Sequence, residues 1–600
     1  MTRNVQNTGK QRRLVRKTAA VALVALMLAV GGGTAAAQTS VNDCAYITQS
    51  GSYEITQDLE GVISPQDPYC LGIESDDIVL DGNGHRVNTT QSLEVSGIAV
   101  DQFDLTSASP ENVTIKNVTV TNFETGIDVK NAEGVDTVGV SLESTNTSVS
   151  VENSTDVTVE GATVSDTDVG VYADASSGVK VKDSSLSSTS PGFELPIDPI
   201  DPIDPIDPID PIDPIDPIDP IDPIDPIDPI DPIDPIDPID PPGLPVFGAS
   251  SVGTQSNGGG GPGIYLNETQ GAVIENNTVS DFEEQGVLVS VGNTAQAGSN
   301  EVSGNEVINN TGGIVVSTTS VTSPNQVLDN ELTANSFGIG VVELSSPSPR
   351  NEVSGNELTD NGDGILAFSE GEDILDNTVT NSTGFGIVTA FDADDVEISE
   401  NTVTESGNSG IAIGEGSSNS ITDNVAKDNG EAGIRLGNGA VENNTLVNNT
   451  ATGDQTYGIW LWDAEDNELR ENTANENGEG FVGGPGVYGI WLDDDSNGNE
   501  VVGNEAFDNG IGGNGGADSA GIYLGGGAPI GPAGPVKNNT VLDNTAGSQP
   551  SNSQNQSYGF WLSGANENEL IDNTAENNGE AGIYLGGTVG TIGAASTGSG

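Results

Sequence analysis

Gly433-Ile-Arg-Leu-Gly-Asn-Gly-Ala-Val-Glu-Asn-Asn-Thr-Leu-Val-Asn-Asn-Thr450 carries the reading of the whole chain. Ile434 and Leu436 alternate with Gly433 and Arg435, the two-residue period of a strand with one buried face. Asn443 and Asn444 then mark a bend, Leu446 turns inward, and Asn448 and Asn449 mark a second bend. So small a unit cannot bury its apolar face alone, and it must stack on copies of itself.

The copies are present. A Gly followed by Ile, Val or Phe recurs at Gly263, Gly286, Gly313, Gly338, Gly364, Gly386, Gly410, Gly433 and Gly458, in steps of 22 to 27 residues. The series continues at Gly489, Gly521, Gly559 and Gly582, with steps of 31, 32, 38 and 23 residues. Between openings lies an Asn-x-apolar signature, as at Asn277-Thr-Val279 and Asn401-Thr-Val403, often with a second Asn five residues on, as in Asn356/Asn361 and Asn504/Asn509. Leucine-rich and helical repeats need runs of Leu, or of Ala, Glu and Lys, which this chain lacks. A coil of three short strands needs about 22 residues and rises by one strand spacing, about 4.8 Å. Asn suits its corners because it tolerates left-handed dihedrals and can bond a stacked neighbour. The pattern predicts an all-β, single-stranded right-handed parallel β-helix.

With these coils the chain resembles the pectate-lyase-like repeat proteins, in particular the NosD-like group with its Asn-x-x-x-x-Asn-x-x-Gly-Ile-x-Leu coils. The resemblance covers most of the chain after residue 37. It implies fold far more than activity, because one fold hosts many functions.

Residues 1–37 read as a secretion signal: Arg12, Arg13, Arg16 and Lys17 precede an apolar run from Ala19 to Val30, and Ala35-Ala36-Ala37 offers a cleavage site. The apolar run is too short to span a bilayer. The chain has 16 basic and 91 acidic residues, and six of the basic ones lie in the signal. The remainder carries 10 basic against 91 acidic, a net of −81. Nucleic acid and anionic membranes would repel such a surface. Because apolar positions stay regular, the charge reads as an acidic shell on a folded core, of the kind found in salt-loving organisms and haloarchaeal surface proteins.

Cys44 and Cys70 are the two cysteines, and in an exported chain such a pair reads as a disulfide tying down the first coils. N-terminal coils are expected over 38–190. From Pro196 to Asp240 the chain repeats Pro-Ile-Asp, which excludes helix and sheet and favours polyproline II. Residues 191–262 therefore read as an insertion or linker, 263–588 as the main β-helix, and 589–600 as a tail. Insertions at 451–457, 478–488, 510–520 and 545–558 precede Gly-Ile openings and are expected to lengthen one recurrent corner. An exposed last coil is an aggregation hazard, so either further chain or the tail is expected to cover it.

Trp460, Trp462, Trp491 and Trp561 lie in strands where Ile459 and Leu461 point inward, so the tryptophans are expected outside. There they either stack on sugar rings or are covered by the long insertions. Asn-x-Ser/Thr sites at Asn88, Asn117, Asn267, Asn381, Asn538 and Asn555 are candidate glycan acceptors.

Catalysis is not evident. Lyase relatives use a basic residue beside a uronate. Here Lys427 and Arg435 are the close central pair, and Arg435 is expected to be an exposed solubilising group. Hydrolase relatives carry Asn-Thr-Asp, Asp-Asp and Gly-His-Gly on successive coils; only the paired acids, Asp394-Asp395 and Asp493-Asp494-Asp495, are present. Copper, which the NosD-like resemblance implies, is disfavoured: after residue 37 there is one His, no Met, and two Cys expected to be bridged. Calcium remains chemically compatible, but no cofactor is required. The sequence thus predicts an extracellular or cell-surface acidic rod, structural or glycan-contacting, with a polysaccharide lyase or hydrolase as the alternative.

Overall fold

The computed structural model describes residues 38–61, 68–90, 95–102, 109–188, 260–291, 298–318, 323–343, 350–390, 393–478, 486–510, 519–525, 534–550, 556–586 and 594–595. The signal-like segment, most of the Pro-Ile-Asp insertion and Asn555 lie outside these residues.

Among the described residues every strand pair is parallel and none is helical, and successive coils wind into a right-handed solenoid. Each coil has three faces. Around the opening stretch, Thr445–Val447 lies on the first face, Thr450–Thr452 on the second and Tyr457–Glu465 on the third. First-face strands stack into a 20-stranded sheet. The second and third faces join in a 36-stranded sheet, because Ser141–Glu152 and Thr163–Asp174 run unbroken round the corner between them. Inward residues form columns: Ile434 pairs with Ile459, Ile459 with Ile490, and Ile490 with Ile522, all fully buried.

Corners explain the asparagines. On one coil Asn467, Asn472 and Asn477, five residues apart, occupy the three corners and are all buried. Asn472 is representative. Its Nδ2 donates to Asn504 Oδ1 on the next coil (3.0 Å) and to Leu446 O on the previous one (2.9 Å). Its backbone N also donates to Asn504 Oδ1 (2.8 Å). Each side chain so satisfies backbone groups that the corner leaves unpaired, at sites where an unpaired group would cost about 1–3 kcal/mol. The residue before the ladder Asn is left-handed and exposed, as with Glu471 (φ 56°) and Asp423 (φ 57°). Part of the acidic composition therefore sits at solvent-facing corner positions.

Coil register runs across the insertion. Val171 pairs with Ile264, Val181 with Ile274, and Leu186 with Val279. The corner ladder crosses it too: Ser184 N donates to Asn277 Oδ1 (3.0 Å), and Asn277 Nδ2 donates to Val181 O (2.8 Å). Before this point the corners use hydroxyls in place of amides, as where Ser154 N donates to Ser176 Oγ (3.1 Å). The insertion leaves the solenoid between the second and third faces, the same corner as the segments before Val487, Ser519 and Tyr558.

Two sequence expectations need correction. Residues 451–457 are no insertion: Thr450–Thr452 and Tyr457–Glu465 are joined by a tight turn holding buried Asp454. Arg435 is not an exposed solubilising group. It does point away from the core, but it is only 2% exposed, because Trp460 and Trp462 on the next coil lie over it.

Candidate functional site

The third face is apolar on both sides. Its outer positions in the C-terminal coils form a column in register, Arg435, Trp460, Trp491, Tyr523, Trp561 and Tyr584. Tyr457, Tyr488 and Tyr558 pack beside it to make a second apolar cluster outside the main core. A smaller cluster of Leu366, Phe385, Val388 and Ala412 occupies the same face on earlier coils.

Along the column the ring pairs pass from stacked to tilted to edge-on. Trp460 and Trp491 are 5.4 Å apart and 10° from parallel, Trp491 and Tyr523 6.0 Å and 28°, and Tyr523 and Trp561 4.6 Å and 39°. Since coils repeat at about 4.8 Å, the near-parallel Trp460, Trp491 and Tyr523 rings stack along the rod axis, whereas Trp561 meets Tyr584 edge-on (6.1 Å, 63°). The free face of Trp460 meets the Arg435 guanidinium at 4.9 Å, a cation–π contact. Arg435 also pairs with Glu431 at 3.3 Å.

All four tryptophans lie outside the main core, as strand alternation predicts. Trp491 is 1% exposed and donates its indole N–H to Gly525 O (3.0 Å), so it offers no ring to a ligand as arranged. Trp460, Trp462 and Trp561 are half-buried, and Tyr584, which the sequence reading did not single out as a site, is 41% exposed. Burial pushes the Tyr523 phenol up to about 12, with the Asp493 charge adding to it.

Acids gather where the column meets the corner to the first face. Asp463 is exposed, and partial desolvation, with the charges of Asp495, Asp494 and Glu465, raises its carboxyl from the ordinary value. Asp493 is buried, and Asp494 and Asp495 have positive φ. Asp494 accepts a hydrogen bond from Gly534 N. Asp394, by contrast, serves its corner, accepting from Ser417 N and Oγ (2.5 and 3.0 Å). His85 lies on the opening coils beside Asp58 (3.3 Å). Lys427 and Arg435 do not meet: Lys427 is exposed and pairs with Asp428 (3.3 Å).

Cys44 and Cys70 are joined in a disulfide beside the pairing of Ala45–Ile47 with Leu71–Ile73. Among the candidate glycan acceptors, Asn117, Asn381 and Asn538 are exposed, left-handed corner residues. Asn88 and Asn267 are half-buried: Asn88 Oδ1 accepts from Asn122 Nδ2 (2.8 Å), and Asn267 Nδ2 donates to Asp174 (2.6 Å).

Three family models match parts of the chain, two of them overlapping over 346–363. They are a right-handed β-helix region over 346–474, a family of unknown function (DUF1565) over 252–363, and a periplasmic copper-binding protein family, NosD, over 71–196. Together with the solenoid these define a right-handed parallel β-helix. Within that class, residues 71–196 are NosD-like. No curated protein sequence matches the chain. Similar solved structures include a periplasmic alginate epimerase (14% identity, 55% of this chain, 76% of that one, TM-score 0.37). Another is PfbA, a surface adhesin of Streptococcus pneumoniae (10%, 61%, 82%, 0.32). A third is a mutant DFA-IIIase from Arthrobacter chlorophenolicus A6 with DFA-III (13%, 55%, 89%, 0.34). Likeness at this level carries nothing about activity.

Copper does not fit the residues of the NosD-matched part. His85 is its one imidazole, and that part holds neither Cys nor Met; Cys70, just before it, is bridged to Cys44. Among the described residues no group of three His, Cys, Asp or Glu is arranged to hold a metal. The disulfide, with no described helix long and apolar enough to cross a membrane, fits an exported protein.

Proposed function

We propose that the protein is an exported, acidic β-helix rod with a structural role at the cell surface. The observation that supports this most is the outer aromatic column. Trp460, Trp491 and Tyr523 stack on one another with Arg435 over the free face of Trp460, as expected of a device that stiffens successive coils. Aromatic pairs of this kind add about 0.5–1.5 kcal/mol each beyond the area they bury. A salt-adapted surface and N-glycans at Asn117, Asn381 and Asn538 belong to the same reading.

A second reading, contact with or cleavage of a polysaccharide, is favoured by one observation. Half-buried Trp462, two residues along the strand from Trp460, and exposed Tyr584 leave ring surface open, and Asp463, an exposed acid raised by partial desolvation and its acidic neighbours, follows Trp462 in the chain. A raised acid can serve as a proton donor to a leaving group.

One experiment separates the readings: a panel of neutral and acidic polysaccharides assayed for retention and for turnover by the exported protein, with Trp462→Ala and Asp463→Asn variants. The structural role predicts no turnover and no retention that depends on Trp462. Retention abolished by Trp462→Ala would establish glycan contact, and turnover abolished by Asp463→Asn would establish an enzyme.

A further inference from the structure

The ladder at the corner between the second and third faces contains one residue of the wrong chemistry. It runs through Asn429, Asp454, Asn477 and Asn509, all buried. Asn429 N and Nδ2 both donate to Asp454 Oδ1 (2.9 Å each). Asp454 N donates to Asn477 Oδ1 (3.0 Å). Up to here Asp454 behaves as an asparagine. The difference lies in its second oxygen.

Where an asparagine of this corner is fully bonded, as at Asn310 and Asn335, Nδ2 has two acceptors. Asn477 Nδ2 donates to Asn509 Oδ1 (3.0 Å) and to Ala451 O on the previous coil (3.3 Å). By the same register, with Ala426 paired to Ala451, Asp454 Oδ2 takes the Nδ2 place between Asn477 Oδ1 and Ala426 O. Both neighbours are acceptors. Asp454 Oδ2 is buried and receives no hydrogen bond. Gly433 lies against it, since a Cβ there would fall on Oδ2.

A carboxylate oxygen facing two carbonyl-type oxygens is repelled by both, whereas a carboxylic acid can donate one proton. From this geometry we infer that Asp454 is a neutral carboxylic acid in the folded rod, with its Oδ2 proton donated to Asn477 Oδ1, and that loss of this proton to solvent opens the ladder here as pH rises.

The charged groups around it agree. Burial and the Asp428 carboxylate both push the acid upward, against the opposing hydrogen bonds from Asn429. Lys427, the nearest cation on the preceding coil, is exposed and pairs with Asp428 (3.3 Å). On the third face Arg435 is engaged by Glu431, and on the following coil Glu476 is exposed at its corner. None neutralises an Asp454 carboxylate. With the folded-state affinity for the proton above the unfolded one, the native state holds more protons, so stability falls as pH rises from the ordinary Asp range through the folded value.

The test uses the full exported chain and the variant Asp454→Asn, which restores a donor at the same atom. Melting followed by circular dichroism at constant high KCl, from pH about 4 to about 9, should show the Asn variant gaining on the wild type steadily with pH. The gap should be smallest at the acid end. Infrared difference spectra at neutral pH should show a carboxylic-acid carbonyl band in the wild type that the variant lacks. A melting gap that does not change with pH, or no such band, would overturn the inference. If Asp454→Asn does not fold, Asp454→Ser supplies both comparisons, since Ser382 and Ser406 hold equivalent buried corner places.

Discussion

At the residue scale the deciding fact is which face of a strand a ring occupies and what lies over it. Trp491 and Trp462 sit on the same outer side, yet one is fully buried and the other half-exposed. Replacing Trp491 by Ala should cost about 3–5 kcal/mol, the range for deleting a buried aromatic. Trp462→Ala should cost well under half of that. Chemical denaturation of both variants measures the difference; equal losses would mean that the column does not act as a second core. Arg435 shows why alternation alone misled. It gave the direction of the side chain correctly and said nothing of the indoles that cover it.

At the scale of the element, the repeating unit is a coil whose corners carry most of the specificity. The Asn pair five residues apart was visible in the sequence, but it was only part of a triple: Asn467, Asn472 and Asn477 mark three corners of one coil. The missing third could have been found by extending the five-residue spacing once more. The Pro-Ile-Asp insertion belongs to this scale as well. Strands on either side of it pair in unbroken register, so its two ends lie one corner apart. Deleting residues 192–258 and closing the gap with a short Gly/Ser bridge should leave one cooperative melting transition of similar midpoint. Two independent transitions in the intact protein, split at that point, would contradict a single rod.

At the scale of the whole molecule the main opposing term is charge. A net of −81 after residue 37, with ten cations to offset it, leaves mutual repulsion that screening must reduce. The described ion pairs engage exposed or half-exposed acids in the main, and such pairs contribute little each. Melting temperature and strand signal should therefore rise between about 0.1 M and about 4 M KCl, as the Debye length falls to about 3 Å at 1 M. Circular dichroism across that range checks it. A midpoint unmoved by salt would show that the acids are spaced widely enough along the rod not to matter.

The sequence by itself determined the fold, because a β-helix is written locally: each coil repeats an inward Ile or Leu, a Gly under the corner side chain, and an Asn that bonds the next Asn. It also determined the direction of the tryptophans, from strand alternation. Only the tertiary structure decided whether those tryptophans see solvent, because cover comes from neighbouring coils of varying length that no local period encodes. The same holds for Asp454. Its sequence position marks it as one acid among many, and only stacking between Asn429 and Asn477 places its second oxygen where a donor is needed.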